Sequence, residues 1–330
     1  MASRRAREGA RTAAGRPATA WPSIQLPTHA DNVEIRARDR AVRLTNLRKI
    51  FWPTLGLTKR DLLQFYADVA PVLLPHVQDR AMVMKRYPNG ASEGFFFMKR
   101  VPQPHPPWLA LCAIEHGEGN IINFPMIQDL LSLLWVVNLG CIDLNQWYAR
   151  CDDVDRPDYL HFDLDPVTGT TAVPFARLRE AALTVRDALA GLDMPAYVKT
   201  TGSRGLHVYV PIVREPTQKE VWTFAKRFAQ ALADARPTLL TAEYAVAKRP
   251  AGRVLLDYNQ NAWGRTLASV YSVRPHPQAL VSTPLTWDEV TQGVNLEEFH
   301  IRNVPDRVRE RGDLWAPLLA KTGRVRLKPL

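Results

Sequence analysis

Two aspartates separated by one residue, Asp163 and Asp165, stand in the segment HFDLDP at 161–166. The side-chain period of an extended chain is two, so both carboxylates leave the same face of a strand. Carboxylates held that close repel one another unless a cation sits between them. Hard oxygen ligands suit Mg²⁺ or Mn²⁺. By itself such a pair more often marks a solvated strand end running into Pro166. The same spacing also holds nucleotide diphosphates in glycosyltransferases.

Two later segments point to phosphate chemistry. In TTGSRGLH at 200–207, the two glycines allow a tight turn and close approach of the backbone to a ligand. Free N–H groups, hydroxyls and Arg204 would then form a phosphate cradle, with His207 opening the next strand. A plain hairpin loop is the competing reading. Asp257 ends an apolar strand before Tyr258-Asn259-Gln260-Asn261. It reads alone as a turn-initiating residue. A third acid converging on Asp163 and Asp165 would instead complete a two-metal site for phosphoryl transfer. Arg265 and Arg274 follow and can clamp phosphate oxygens.

Helices and strands alternate around these residues. Thr58 predicts an N-cap for a helix with Leu62, Phe65, Tyr66 and Val69 on one face, stopped near Pro71. Residues 126–139 read as a buried helix ending at Gly140. Residues 174–190 repeat apolar groups at helical spacing up to Gly191. Thr217 and Glu220 form a capping box before Val221, Phe224, Phe228 and Leu232. Strands are expected at 159–165, 206–212 and 253–258. In the first, Leu160, Phe162 and Leu164 take one face and His161, Asp163 and Asp165 the other. The fold class is mixed α/β (α+β) with an open sheet.

The chain has 330 residues, 46% of them hydrophobic, enough for a sizeable core. Its net charge of +10 suits a polyanionic partner such as nucleic acid. Residues 1–30 carry +4 of that charge through Arg4, Arg5, Arg7, Arg11 and Arg16 against Glu8. They read as a disordered basic tail without an apolar signal-peptide core. One catalytic domain is expected over 31–330. The most apolar run, Leu130 to Ile142, is too short for a bilayer, which needs about 20 residues. Cys112, Cys141 and Cys151 lack CxxC spacing and predict neither a disulfide framework nor a zinc site. The expected location is the cytoplasm, at the nucleoid, with no membrane partner.

Order and spacing say more than any one motif. HFDLDP, TTGSRGLHVYVP, LLDYNQN, YSVRPHP and VSTPLTWDEV follow one another. Upstream lie LTNLRKIFWPTLGLTKRDLLQFY and MVMKRYPNGASEGFFFMKR. The series, over about residues 42–290, resembles the archaeo-eukaryotic primase superfamily. Within it the chain is most like the polymerase domain of bacterial ligase D and its actinobacterial stand-alone, ligase C-associated relatives. That resemblance implies a primase-polymerase fold, an RRM-like catalytic sheet joined to an N-terminal α/β unit.

The resemblance also implies roles. Asp163, Asp165 and Asp257 match the catalytic metal triad, holding two Mn²⁺ or Mg²⁺ ions. His207 and Arg274 match contacts to the incoming triphosphate, and Lys85 another nucleotide contact. Thr201 keeps the hydroxyl of a usual Ser, and Ser203 and Arg204 share its loop. Phe96 and Phe97 match aromatics near the templating base. Asn46, Lys49 and Lys59 match a pocket for the 5′-phosphate across a gap. Asn145 stands where a His usually lies near the ribose, and Asn also hydrogen-bonds a hydroxyl. Gln260 replaces a usual Arg, and Arg249 lies one place from another.

The implied activity is metal-dependent, template-directed nucleotidyl transfer that fills short gaps at DNA breaks or repair intermediates. Substrates would be NTPs or dNTPs, ribonucleotides preferred, on gapped or broken double-stranded DNA. Neither a ligase nucleotidyl-lysine motif nor a nuclease domain follows Asp257, so a separate DNA ligase and an end-binding repair protein are the expected partners. Two other classes use similar residues. A metal-dependent phosphodiesterase or nuclease would take water as nucleophile, and a non-catalytic DNA-end-binding module would keep only the phosphate pocket.

Overall fold

The computed structural model describes residues 24–117, 119–167 and 173–328. The N-terminal arginines discussed above lie outside them. Residues 24–30, assigned above to the tail, pack on the fold. Leu26 is buried, and its N–H donates to Gln64 Oε1 at 2.9 Å.

The N-terminal unit starts with a hairpin, β1 (Val33–Ala37) and β2 (Arg40–Leu44). Helix α1 (Lys59–Val77) follows from Thr58, whose side chain accepts from Asp61 N while Asp61 caps Thr58 in return. The helix does not stop near Pro71 but runs through it and through Pro75. Proline removes one intrahelical bond. Here Leu62, Phe65, Tyr66, Val69, Leu73 and Val77 keep a continuous buried face, whose burial outweighs that loss. Strands β3 (Met82–Arg86), β4 (Phe96–Met98) and β5 (Cys141–Gln146) form an antiparallel sheet with β3 central. Helix α2 (Leu130–Asn138) precedes β5 and is shorter than expected, because Asp129 caps it.

The catalytic unit is built from β6 (Tyr159–Pro166), α3 (Phe175–Ala190), β7 (Tyr197–Thr200), β8 (Leu206–Pro211), α4 (Gln218–Ala235), β9 (Leu240–Thr241), β10 (Val254–Asp257) and β11 (Pro284–Leu285). The six strands order as β9-β10-β6-β8-β7-β11. All neighbours are antiparallel except β9 and β10. The β6-α3-β7-β8-α4-β10 order, with β6 and β8 inside, is the split βαβ of an RRM-like sheet. Leu160, Phe162 and Leu164 meet α3 and α4 on one face, where the Phe162 and Phe228 rings lie 4.9 Å apart.

The other face of β6 is not solvated as the alternation suggested. His161 is fully buried, its ring 4.0 Å from that of Tyr148 and 5.1 Å from that of Tyr209. The N-terminal unit thus roofs the sheet at this end and leaves it open toward Asp165. One hydrophobic cluster runs through both units. Cys112 and Cys151 form a disulfide, with Cα atoms 5.8 Å apart, contrary to the expectation from spacing. The strand Leu111–Glu115 and the turn after Arg150 are neighbours in space although 39 residues apart in sequence. Among the described residues no helix is long and apolar enough to cross a membrane.

Candidate active site

The open end of the sheet floors a cavity of about 580 Å³ between the two units. Asp163 and Asp165 enter it from β6, and Asp163 stands directly opposite Asp257 in the β6–β10 ladder. Directly opposed residues place their Cβ atoms about 5 Å apart on one face. Burial, then the Asp257 carboxylate, pushes Asp163 up to about 7. Asp165 is also raised to about 7 by desolvation within the cleft and by Asp163 and Asp257, although its side chain opens to solvent.

Asp257 is turned partly away. Its Oδ1 accepts from Asn259 N at 2.7 Å, and its Oδ2 from Gln260 Nε2 at 3.1 Å. Among the described residues no three His, Cys, Asp or Glu side chains stand at metal-ligating spacing. The acids nonetheless fit a divalent ion chemically. They are hard oxygen donors with like charge, and the enclosed Asp163 Oδ1 has no hydrogen-bond partner.

The hairpin between β7 and β8 makes the next wall. Gly205 lets it lie on β6, since a Cβ there would come within 2.4 Å of Leu164 O. Thr201 Oγ1 accepts from Ser203 N at 3.1 Å and Gly205 N at 3.2 Å. Those two N–H groups are therefore spent on the loop itself, against the expectation that they face phosphate. Ser203, Arg204 and Thr201 still line the cavity. His207, on β8, has Nε2 3.2 Å from Asp163 Oδ1 without hydrogen-bond alignment.

The N-terminal sheet supplies the opposite wall. Val83, Lys85, Asn145 and Phe97 share its cleft face, because Val83 opposes Asn145 and Lys85 opposes both Phe97 and Asp143. Asp143, missed in the sequence, is buried between the two expected cations. Its Oδ2 lies 3.7 Å from Lys85 Nζ and 3.5 Å from Arg274 Nε. Arg274 also donates to Thr201 O at 2.8 Å, so it is fixed between the walls. Lys85 projects among rings, 4.2 Å from the centre of Phe95 and 5.8 Å from that of Phe97. Phe95 was also missed, although its i, i+2 spacing to Phe97 is a legible signal. Lys99, Gln260 and Arg265 complete the rim.

Besides Asp257, two more expected members do not line the cavity. Arg249 lies outside the cavity lining, and its guanidinium donates to Glu243 O at 3.0 Å and Tyr244 O at 3.1 Å within its own loop. Phe96, one residue from Phe97, takes the reverse face of β4 with Arg86, whose guanidinium carbon lies 5.3 Å from the ring centre. On that side the three residues expected at a 5′-phosphate are linked to one another, and Arg86 is near enough for its charge to act on Lys59. Asn46, in the left-handed region, accepts from Lys49 N at 3.1 Å, and Lys49 O accepts from Lys59 N at 2.8 Å. Lys59 Nζ donates to Thr45 O at 2.7 Å, and Lys49 Nζ to Asn89 Oδ1 at 2.9 Å. Burial, then the charges of Lys49 and Arg86, pull Lys59 down to about 8.

Paired carboxylates on an RRM-like sheet, facing Lys85, His207, Arg274 and an aromatic ring, mark the class of proteins whose sites suit metal-dependent chemistry on nucleotides or phosphate esters. Within that class the chain belongs to the family described as "LigD, primase-polymerase domain", whose family model matches residues 58–315. It is 36% identical over 283 residues to the "Multifunctional non-homologous end joining protein LigD" of Mycolicibacterium smegmatis, covering 85% of this chain and 36% of that protein. The "Bifunctional non-homologous end joining protein LigD" of Bacillus subtilis is 29% identical over 82% of this chain and 43% of its own length. The chain thus spans well under half of the curated relatives it matches. The solved "Polymerase Domain from Mycobacterium tuberculosis Ligase D in complex with DNA" superposes with a TM-score of 0.78 at 32% identity, covering 85% of this chain and 98% of that one.

Proposed function

We propose that the chain fills short gaps at broken or excised DNA, adding templated nucleotides opposite a gap whose far side carries a 5′-phosphate. The observation that supports this reading is that neighbouring residues of β3 and β4 take opposite faces of one sheet. Lys85 and Phe97 line the cleft, while their neighbours Arg86 and Phe96 take the other face, where the charge of Arg86 acts on Lys59, one of the three residues assigned here to the 5′-phosphate. A strand crossing the β4 edge would reach both, and only a short gap brings a primer end and a downstream phosphate that close.

Divalent ions held by Asp163, Asp165 and Asp257 would activate the primer 3′-hydroxyl and neutralise charge on the departing pyrophosphate. His207, Arg274, Arg204 and Lys85 orient the triphosphate, and Asp143 holds Arg274 and Lys85 apart at the width of the cleft. Phe97 and Phe95 offer sequence-tolerant stacking surfaces for the template. Asn145 supports a ribonucleotide preference, since its Nδ2 is taken by Asp143 O at 3.1 Å and its carbonyl is left to accept from a ribose hydroxyl. A ligase and an end-binding repair protein would act on the same DNA at the nucleoid.

The test is extension of a labelled primer on a short-gapped duplex with Mn²⁺, comparing NTPs with dNTPs and substrates with and without the downstream 5′-phosphate. Templated addition, faster with NTPs and with the 5′-phosphate, is expected. No addition under any condition refutes the reading, and a shortened primer indicates a nuclease.

The 5′-phosphate advantage should also depend on pH. Lys59 is cationic below its value of about 8 and neutral above it. The ratio of kcat/KM with and without the 5′-phosphate is therefore expected to fall several-fold between pH 7 and pH 9, as kcat/KM follows the free enzyme. Lys59→Arg, which stays charged, should flatten that limb. A ratio that does not change with pH in the unmodified protein would remove Lys59 from the pocket.

A further inference from the structure

Lys199, in β7, is fully enclosed and stands directly opposite His207 in the β7–β8 ladder. A buried ammonium is costly unless its donors are met. Its Nζ lies 2.6 Å from His207 Nδ1, 3.0 Å from Ala268 O and 2.5 Å from Ser282 Oγ. Ser282 Oγ gives its own proton to Thr200 O at 2.8 Å, so it accepts from Lys199. Burial, then the charge of Arg274, pulls Lys199 well below the ordinary lysine range, and these three contacts are the set an ammonium would need to stay charged here. The rings of Tyr209 and Trp315 each centre 5.9 Å from Nζ.

A ring nitrogen that accepts carries no proton. If Lys199 donates to Nδ1, the single proton of a neutral His207 is left on Nε2, the nitrogen nearest Asp163. We propose that Lys199 is a positioning residue that locks His207 in its Nε2–H form and ring plane, so that the imidazole presents a hydrogen-bond donor to a triphosphate oxygen in the cleft. This deepens the nucleotide-binding reading above and rests on it. The arrangement was beyond sequence reasoning because the two other acceptors come from residues 69 and 83 positions further along.

The first test needs neither metal nor substrate. In protein labelled with ¹⁵N-histidine, long-range ¹H–¹⁵N correlations should show His207 protonated at Nε2, assigned by loss of the signals in His207→Ala. Lys199→Met should shift the ring toward the Nδ1–H form.

The second is a double-mutant cycle with primer extension as readout. Lys199→Met is expected to lower kcat/KM for the nucleotide roughly 10–100-fold, as loss of an orienting partner does. In the His207→Ala background it should add less than about 2-fold, because coupled residues are not additive. Ser282→Ala keeps the lysine and removes one anchor. It should give a smaller loss that also disappears without His207, and it carries the test if Lys199→Met does not fold. An unchanged tautomer, or losses that multiply in the cycle, would overturn the proposal. Inactivity of the unmodified protein would instead sink the polymerase reading, leaving the tautomer measurement to decide the role of Lys199.

Discussion

Replacing Asp163 and Asp165 together by asparagine is expected to lower templated nucleotide addition by on the order of 10³-fold or more, while raising the thermal stability of the metal-free protein at pH 8. Both effects have one cause. The cleft holds Asp163 and Asp165 at about 7, first through desolvation and then through the Asp257 charge on both and the Asp163 charge on Asp165. In an unfolded chain the same groups titrate near 3.9. A carboxyl whose folded pKa is raised contributes stability that is fully present below the unfolded value. That contribution is lost as pH rises through the folded one.

The metal-free protein should therefore lose a few kcal/mol from this site between about pH 4 and pH 7. Most of that comes from the enclosed Asp163, since solvent screens the more open Asp165. Melting curves at pH 5.5 and pH 8 should differ in the unmodified protein, with Mn²⁺ restoring stability at pH 8. In the double asparagine variant the difference should shrink and Mn²⁺ should have little effect. If the variant keeps its extension rate within about 10-fold, the two carboxylates are not the catalytic pair. If Mn²⁺ leaves the melting of the unmodified protein unchanged, they do not hold the metal.

The second large effect lies away from the chemistry. Arg80 and Asp158 are both buried, with Arg80 Nη2 at 2.7 and 2.8 Å from the two carboxylate oxygens. Arg80 also donates to His76 O at 3.1 Å and to Tyr148 O, and Arg150 Nε reaches Asp158 Oδ2 at 3.1 Å. This network joins the end of α1 and the start of β3 to the strand that carries Asp163. Asp158→Ala would leave an uncompensated guanidinium in the interior, at a cost of about 3–5 kcal/mol. Urea denaturation should show that loss as a lower midpoint. Replacing both partners by apolar residues, Arg80→Met with Asp158→Leu, should recover much of it, because no buried charge is then left unpaired. A midpoint unchanged in Asp158→Ala would mean that water or a neighbouring acid reaches Arg80.

Much of this was legible in the residues alone. Period-two geometry put Asp163 and Asp165 on one face, and an N-cap at Thr58 and a capping box at Thr217 placed the starts of α1 and α4 where they occur. These are local effects, set by the intrinsic geometry of a strand and by the first turn of a helix. The candidate triphosphate contacts His207, Arg274 and Lys85 were found by resemblance and come together at one cavity. What failed was of another kind. Pro71 was expected to end a helix because local rules cannot weigh the apolar face that continues past it. Arg249 was expected in the cleft, but its own loop offers two nearer carbonyls.

The sequence by itself determined the strand and helix pattern, the pairing of Asp163 with Asp165 and the family resemblance, because each depends on neighbours a few residues apart or on motif order. Tertiary structure alone decided that Phe97 lines the cavity and Phe96 does not, that Asp143 lies between two cations and that Lys199 rests on His207. Buried polar groups take whichever partner the packing brings, and those partners are remote in the chain. Their positions are fixed only when two units close over one another and every enclosed donor must find an acceptor.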